Sequence, residues 1–424
     1  MWTVLFMSSA ASAFTDPPFP HLAALWIGNQ VYQDATVQQQ LARGSIAVIS
    51  VYPGWGASTG TTVQQVIQNI KAINPNTLVF QYINNNEISY DRAANALFAD
   101  LYAKLDSMNW YLYANGGSGT IVNSWFPGAY ELNNTLFVPL DSNGDTWVTW
   151  YAKWAVQQYA VPNPALDGFY LDNVFWEPRV DGDYNRDGTT DSATNPTTAT
   201  WWRLGVRKHF DTMHQLMPGK FQTGNVDWGA ATAVFPELNQ QLNGGLMEGM
   251  IGYSWSFETW GGWTTMMQGY RKVMAALTVP TLGMFAQIGS ATDYQSFRYG
   301  FASCLMDNGY YVFNTSGTYG DAPAFDEYSA KLGNSTSSPQ TTAWQHGVYR
   351  RDFDNGIALV NPKGNGAQTV QLETSYKRLT GAQAPSVNNG QTVTSVTLQD
   401  RDGLILMRLA PKVTPNPPGN LTVR

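Results

Sequence analysis

Two carboxylates stand at the ends of otherwise apolar runs. The stretch DGFYLDN, residues 167–173, carries Asp172 after Phe, Tyr and Leu, and GLMEGM, residues 245–250, carries Glu248. A charge that ends a buried strand belongs where a core stops and a mouth begins. Two such acids facing each other are what glycosidic cleavage needs: one protonates the leaving oxygen while the other attacks the anomeric carbon or activates water. Their separation decides between retention, at about 5–5.5 Å, and inversion, at about 6.5–9.5 Å, and the sequence leaves that choice open. A non-catalytic glycan-binding or surface-adhesion protein on the same scaffold is the alternative.

Other run ends are polar as well. INNNE offers Asn84, Asn85 and Glu87, Asn173 follows Asp172, GNVDW offers Asn225 and Asp227, and Gln287 closes TLGMFAQ. Amides at such places suit neutral sugar hydroxyls, with Asp227 and Glu87 as reserve carboxylates. Trp110, Trp125, Trp176 and Trp255 lie in Gly- and aromatic-rich stretches and are expected to stack on the C–H faces of sugar rings.

A third pattern belongs to a cation. In DGDYNRDGTTD, Asp183, Asn185, Asp187, Thr189 and Asp191 occupy the first, third, fifth, seventh and ninth positions of a D-x-N-x-D-G loop, with Gly188 at the turn. Alternating oxygen donors of this kind wrap a hard ion, so a structural Ca²⁺ is expected. Thr194 stands at the twelfth position, where a bidentate acid belongs, so Asp181 or a distant carboxylate has to complete the shell. There is no HExxH motif or Cys/His cluster, which argues against a catalytic zinc. No organic cofactor is expected.

The elements that must position these groups follow from periodicity. Eight short apolar runs (22–29, 45–52, 77–84, 167–173, 220–227, 245–250, 281–287 and 310–315) are interspersed with helical spacing at 63–73, 202–217 and 265–277. Near-continuous apolar strands covered by helices indicate a parallel sheet, and eight units fit an α/β fold, the (β/α)₈ TIM barrel, over residues 14–333. A doubly wound sheet lacks its Gly-rich phosphate turn here. Insertions at 109–145 and 177–200 follow strands and are expected on the C-terminal face. NSTSSPQTT then reads as a linker, and alternating segments predict a small antiparallel β-sandwich domain at 345–412, trailed by a flexible tail at 413–424.

Composition narrows the ligand. Charged residues form 13% of the 424 and aromatics another 13%, with 16 Trp and 22 Tyr, so much of the polar surface is amide and hydroxyl. A net charge of −7 without a basic run excludes nucleic acid as the natural partner. The single cysteine, Cys304, sits in an apolar run and reads as a buried thiol. No run reaches membrane-spanning length. MWTVLFMSSAASA, residues 1–13, reads as an atypical or truncated signal peptide, which makes the expected setting secreted or cell-surface. The expected partner is a polysaccharide or oligosaccharide, met by a monomer.

DGFYLDN, DGDYNRDGTTD, WWRLGVRKHF, QTGN and LMEG, in that order, together with NWYLYANGG and SWFPGAYELNN, resemble the hypothetical glycosyl hydrolase 15 group. A more distant resemblance runs to spherulin-4-like endo-α-1,4-polygalactosaminidases through the D-G-F-hydrophobic-L-D strand. The resemblance covers about residues 22–315 and implies a (β/α)₈ glycosidase barrel. Within it Asp172 matches the nucleophile or base, and Glu248 the proton donor.

Overall fold

The computed structural model describes residues 14–226 and 235–409. The leader and tail expected from the sequence lie outside these residues. Eight parallel strands form one sheet: β1 (Ala23–Trp26), β2 (Ile46–Ile49), β3 (Leu78–Ile83), β4 (Gly168–Val174), β5 (Phe221–Val226), β6 (Gly244–Ile251), β7 (Met284–Ile288) and β8 (Tyr310–Asn314). They are hydrogen-bonded in sequence order, and a parallel bridge from Leu22 to Tyr311 brings the last strand back to the first. Each of the eight apolar runs became one strand. The helices between them include α1 (Ala35–Leu41), α2 (Val63–Ile73), α3 (Ala99–Met108), α4 (Trp147–Ala155), α5 (Pro196–Leu216), α6 (Phe257–Ala276) and α7 (Tyr294–Leu305). Their starts carry recognisable signals. Thr62 and Gln65 make a capping box for α2, and Asn195 caps α5 ahead of Pro196.

Strand alternation sorts the sheet into two layers. Leu25, Ile46, Val48, Leu78, Phe80, Tyr170, Leu246, Met284, Ala286, Tyr310 and Val312 form the barrel's interior cluster. The residues between them, such as Ala47, Val79, Phe169, Met247, Phe285 and Tyr311, join the larger core under the helices. Cys304 is part of that outer core, and burial pushes its thiol well up, as befits an inert side chain.

The two insertions hold each other. Strand Glu87–Ser89, just beyond β3, pairs antiparallel with Ala129–Glu131 of the first insertion. In the second, the Asp183 N–H donates to the Tyr113 carbonyl at 2.8 Å, and Asp183 Oδ2 accepts from the Gly116 N–H at 2.5 Å.

Beyond the barrel, β9 (Tyr349–Phe353), β10 (Gly356–Asn361), β11 (Gln368–Arg378), β12 (Thr392–Leu398) and β13 (Asp402–Arg408) form an antiparallel sheet in the order β9-β10-β13-β11-β12. A register shift between Gln371 and Tyr376 bends β11. Apolar residues of β10 and β13 thereby share a core with those of β11 and β12, Ile357 and Leu404 beside Val370 and Val396. The other face packs on α7, where Arg298 and Asp402 pair at 2.9 Å. The segment read as a linker is fastened down: the Thr336 N–H donates to the Asp352 carbonyl and the Gln340 N–H to that of Met306.

Candidate active site

The inward-facing rows explain which polar residues meet. On β4, Tyr170 faces the interior, so Asp172 does too, one step nearer the C-terminal mouth. On β3 the row is Phe80 then Tyr82, on β6 Leu246 then Glu248, and on β5 Phe221, Thr223 and Asn225. Three adjacent strands thus deliver Asp172, Asn225 and Glu248 to one place.

The Asn225 side-chain amide joins the two acids. Its Nδ2 donates to Asp172 Oδ1 at 3.1 Å and to Glu248 Oε2 at 2.9 Å. Because one nitrogen reaches both, those two oxygens lie no farther apart than about 6 Å, the two bonds laid end to end. Asp172 also accepts from the Tyr82 hydroxyl at 2.6 Å and from the Asn173 N–H at 2.9 Å. Glu248 accepts from the hydroxyl of Tyr319, whose oxygen lies 2.8 Å from that of Tyr253. Burial pushes both carboxyls above their ordinary range, opposed by these donors. For Glu248 the charge of Asp172 adds to the rise. Neither acid is ion-paired with a cation among the described residues.

A third carboxylate borders the pair. Glu87 accepts from Asn84 Nδ2 at 3.1 Å and from Ser124 Oγ at 2.6 Å, and burial raises it as well. Across the short strand pair lies Glu131, 1% exposed, with one oxygen unpartnered, and burial pushes its carboxyl up to about 8. Aromatic surfaces flank the row. Trp125, 48% exposed, follows Ser124 and meets Phe175 edge-on at 5.9 Å. On the far side Tyr253 and Trp255 stack at 4.3 Å. A Cβ on Gly249 would meet the Trp255 ring at 2.0 Å, and Gly249 holds φ +68°, so glycine is needed beside Glu248. Trp176 is half-buried beneath the Arg179 guanidinium, 5.3 Å from its ring.

Four expected ligand contacts are corrected. Trp110 is fully buried between Trp147 and Trp150 and donates Nε1–H to the Pro139 carbonyl, so it is core. Asn85 is fully buried beneath the first insertion, where its carbonyl accepts from the Trp147 indole. Gln287 sits between the inward-facing Ala286 and Ile288 and so points out to the helices, bonding Ser296 of α7 and Tyr311. Asn173 has the outward parity on β4 and a φ of +55°, so it turns the chain and lends its N–H to Asp172. Asp227 lies outside the described residues. Tyr82 and Tyr319 were missed. The parity of β3 marks Tyr82, whereas no local pattern marks Tyr319.

The D-x-N-x-D-G loop takes its turn shape. Asp183 Oδ1 and Asn185 Oδ1 both accept from the Asp187 N–H, at 3.1 and 3.0 Å, and Asn185 Nδ2 donates to Asp187 Oδ2 at 3.0 Å, so its first three donors converge. Asp191 instead turns one oxygen to the Tyr184 and Asn185 N–H groups, and Asp181 caps the Ala193 N–H. Among the described residues no three acidic, histidine or cysteine side chains gather round one point. An ion here would rest on Asp183, Asn185, Asp187 and the Thr189 carbonyl, with water completing the shell.

The profile of hypothetical glycosyl hydrolase family 15 matches residues 71–357, more than half of the chain and all three strands that carry the acids and Asn225. The chain belongs to that family. Membership in hypothetical glycosyl hydrolase family 15 makes this a glycosidase-type barrel. Among solved structures, the glycoside hydrolase domain of PelA from Pseudomonas aeruginosa is 13% identical, over 72% of this chain and 97% of that one, with a TM-score of 0.44. An Anoxybacillus α-amylase is 9% identical over 92% and 97%, TM-score 0.46. A cycloalternan-forming enzyme from Listeria monocytogenes is 9% identical over 92% of this chain and 42% of its own, TM-score 0.49. No curated protein sequence matches the chain. Among the described residues no helix is long and apolar enough to cross a membrane.

Proposed function

We propose that this member of hypothetical glycosyl hydrolase family 15 hydrolyses glycosidic bonds of a polysaccharide with retention of configuration, with Asp172 as nucleophile and Glu248 as general acid/base. The observation that supports this reading is the shared Asn225 amide, which limits the bridged oxygens of the two acids to about 6 Å, short of the range of inverting pairs. Asp172 has three donors and Glu248 two, so Asp172 is the better-stabilised anion and Glu248 the group that holds the proton.

In the first step an Asp172 oxygen bonds to the anomeric carbon as the glycosidic C–O bond breaks, and the Glu248 proton goes to the leaving oxygen. In the second, the Glu248 carboxylate takes a proton from water. That water's oxygen bonds to the anomeric carbon and Asp172 leaves as the carboxylate. Trp125 on one side and Trp255 on the other supply stacking surfaces for successive sugars, and Asn84 and Glu87 face ring hydroxyls. The substrate reading places the protein outside the cell or on its surface. Calcium, held by Asp183, Asn185, Asp187 and the Thr189 carbonyl, would pin the second insertion and take no part in the chemistry.

The test is a glycan panel assayed for new reducing ends, with the anomeric product followed by proton NMR. Wild type should release product of unchanged configuration, and Asp172→Asn and Glu248→Gln should not. Release that survives both substitutions removes the assignment, inverted product removes the double displacement, and binding without release marks a lectin-like protein.

A further inference from the structure

The loop after β8 is held unusually firmly for a surface turn. Asn314, the last residue of β8, donates Nδ2–H to the Leu25 carbonyl of β1 at 3.0 Å and to the Asp321 carbonyl at 2.6 Å. Asp321 in turn accepts from the Thr315 N–H at 3.0 Å. Between these anchors Tyr319 adopts φ +49°, a left-handed conformation that a residue with a bulky side chain takes only where its surroundings impose it. Its carbonyl accepts from two successive N–H groups beyond β1, Ile27 at 2.8 Å and Gly28 at 3.1 Å. A Cβ on Gly28 would fall 1.6 Å from the Thr318 carbonyl oxygen, so the two loops are in backbone contact. The Tyr319 ring packs on the barrel's interior cluster, and its hydroxyl bonds Glu248. A strained residue, bolted at its backbone and pointing at an acid, has the form of a built component.

We infer that Tyr319, backed by Tyr253, is a positioning residue for Glu248: its hydroxyl fixes the carboxyl in the orientation in which Asn225 can bridge it to Asp172. The inference rests on the reading of Glu248 as the proton-donating acid. The titratable groups that face Glu248 are Asp172 and Tyr170 from β4, Tyr319 from the β8 loop and Tyr253 from the loop after β6, with no cation among them. A donated hydrogen bond stabilises the ionised carboxylate, so the Tyr319 hydroxyl opposes the rise that burial and Asp172 impose.

Removing that hydroxyl while keeping the ring should therefore raise the proton affinity of Glu248. The measurement is the pH titration of the Glu248 carboxyl carbon by NMR in protein labelled at glutamate, assigned by its loss in Glu248→Gln. Tyr319→Phe should move the midpoint up by about one pH unit, and Tyr253→Phe should move it the same way by less. In an active preparation the alkaline limb of the kcat profile should follow, with kcat down about tenfold or more and KM little changed. An unmoved or lowered midpoint in Tyr319→Phe overturns the inference whatever the activity. A wild type inert on every glycan overturns the hydrolase reading and leaves the carbon titration to decide this one.

Discussion

Replacing Asn225 with alanine removes a group that touches both acids. With the bridged oxygens at most about 6 Å apart and an effective dielectric constant of about 20, the two acids when both ionised repel by at least about 3 kcal/mol, or about two pKa units. The amide offsets this by donating one N–H to each, and a hydrogen bond to a charged group contributes about 1.5–3 kcal/mol. Both bonds are lost in Asn225→Ala, but the site opens to solvent, and water will replace part of them. The smaller end is therefore the better guide. About 3 kcal/mol lost in the transition state is about a hundredfold in kcat/KM. The thermal midpoint should change little, because Asn225 is only half-buried and its partners lie at the mouth. Initial rates of reducing-end release, wild type beside Asn225→Ala, with melts of both, provide the assay. A variant within threefold of wild type would refute the idea that the shared amide organises the pair.

Three further outcomes follow from the same geometry. Trp125→Ala should raise KM without altering the melt, whereas Trp110→Ala should lower stability by about 3–5 kcal/mol, the scale of a fully buried aromatic truncated in a core. A reversal of those two phenotypes in binding and denaturation assays contradicts the placement. Glu131 is an acid whose folded pKa of about 8 exceeds its ordinary 4.5, so it favours the folded state at low pH and that advantage fades as pH rises from 4.5 through 8. The interval sets a ceiling of about 5 kcal/mol, and Glu131→Gln should flatten the stability profile between about pH 5 and about pH 9 in urea titrations. Equal losses in wild type and variant over that range count against a buried neutral acid. Finally, calcium in excess over EGTA should raise the melting temperature, by an amount corresponding to about 2.7 kcal/mol at a hundred times Kd, and identical melts with and without the ion retire the metal loop.

The fold was legible because a buried parallel strand announces itself: DGFYLDN and GLMEGM could hardly be anything else once eight such runs were laid end to end. The acids were legible for the same reason, since a charge after Tyr170 and Leu246 has only the mouth to go to. The amides were harder, and the rule that sorts them is the pleat. Asn225 and Asn84 share the parity of the interior row, while Gln287 and Asn173 have the opposite one and turn away from it. That signal lies in the sequence and needs only the strand's inner face to be fixed first. Trp110 misled because an aromatic in a Gly-rich insertion resembles an exposed platform, yet this insertion has a core of its own built with Trp147 and Trp150. Tyr319 follows no local pattern. Its position comes from contact with the segment just after β1, nearly three hundred residues earlier in the chain.

That contact ties the site to the seam where the ring of strands closes. Asp172, Asn225 and Glu248 come from consecutive strands, so the bonds among them do not involve the last strand. The hydroxyl on Glu248 comes instead from across that seam, where the Tyr319 carbonyl accepts from the Ile27 and Gly28 N–H groups. The contact to Glu248 therefore depends on the ring being closed, and loosening the seam between the last strand and the first would reach the site without touching either acid.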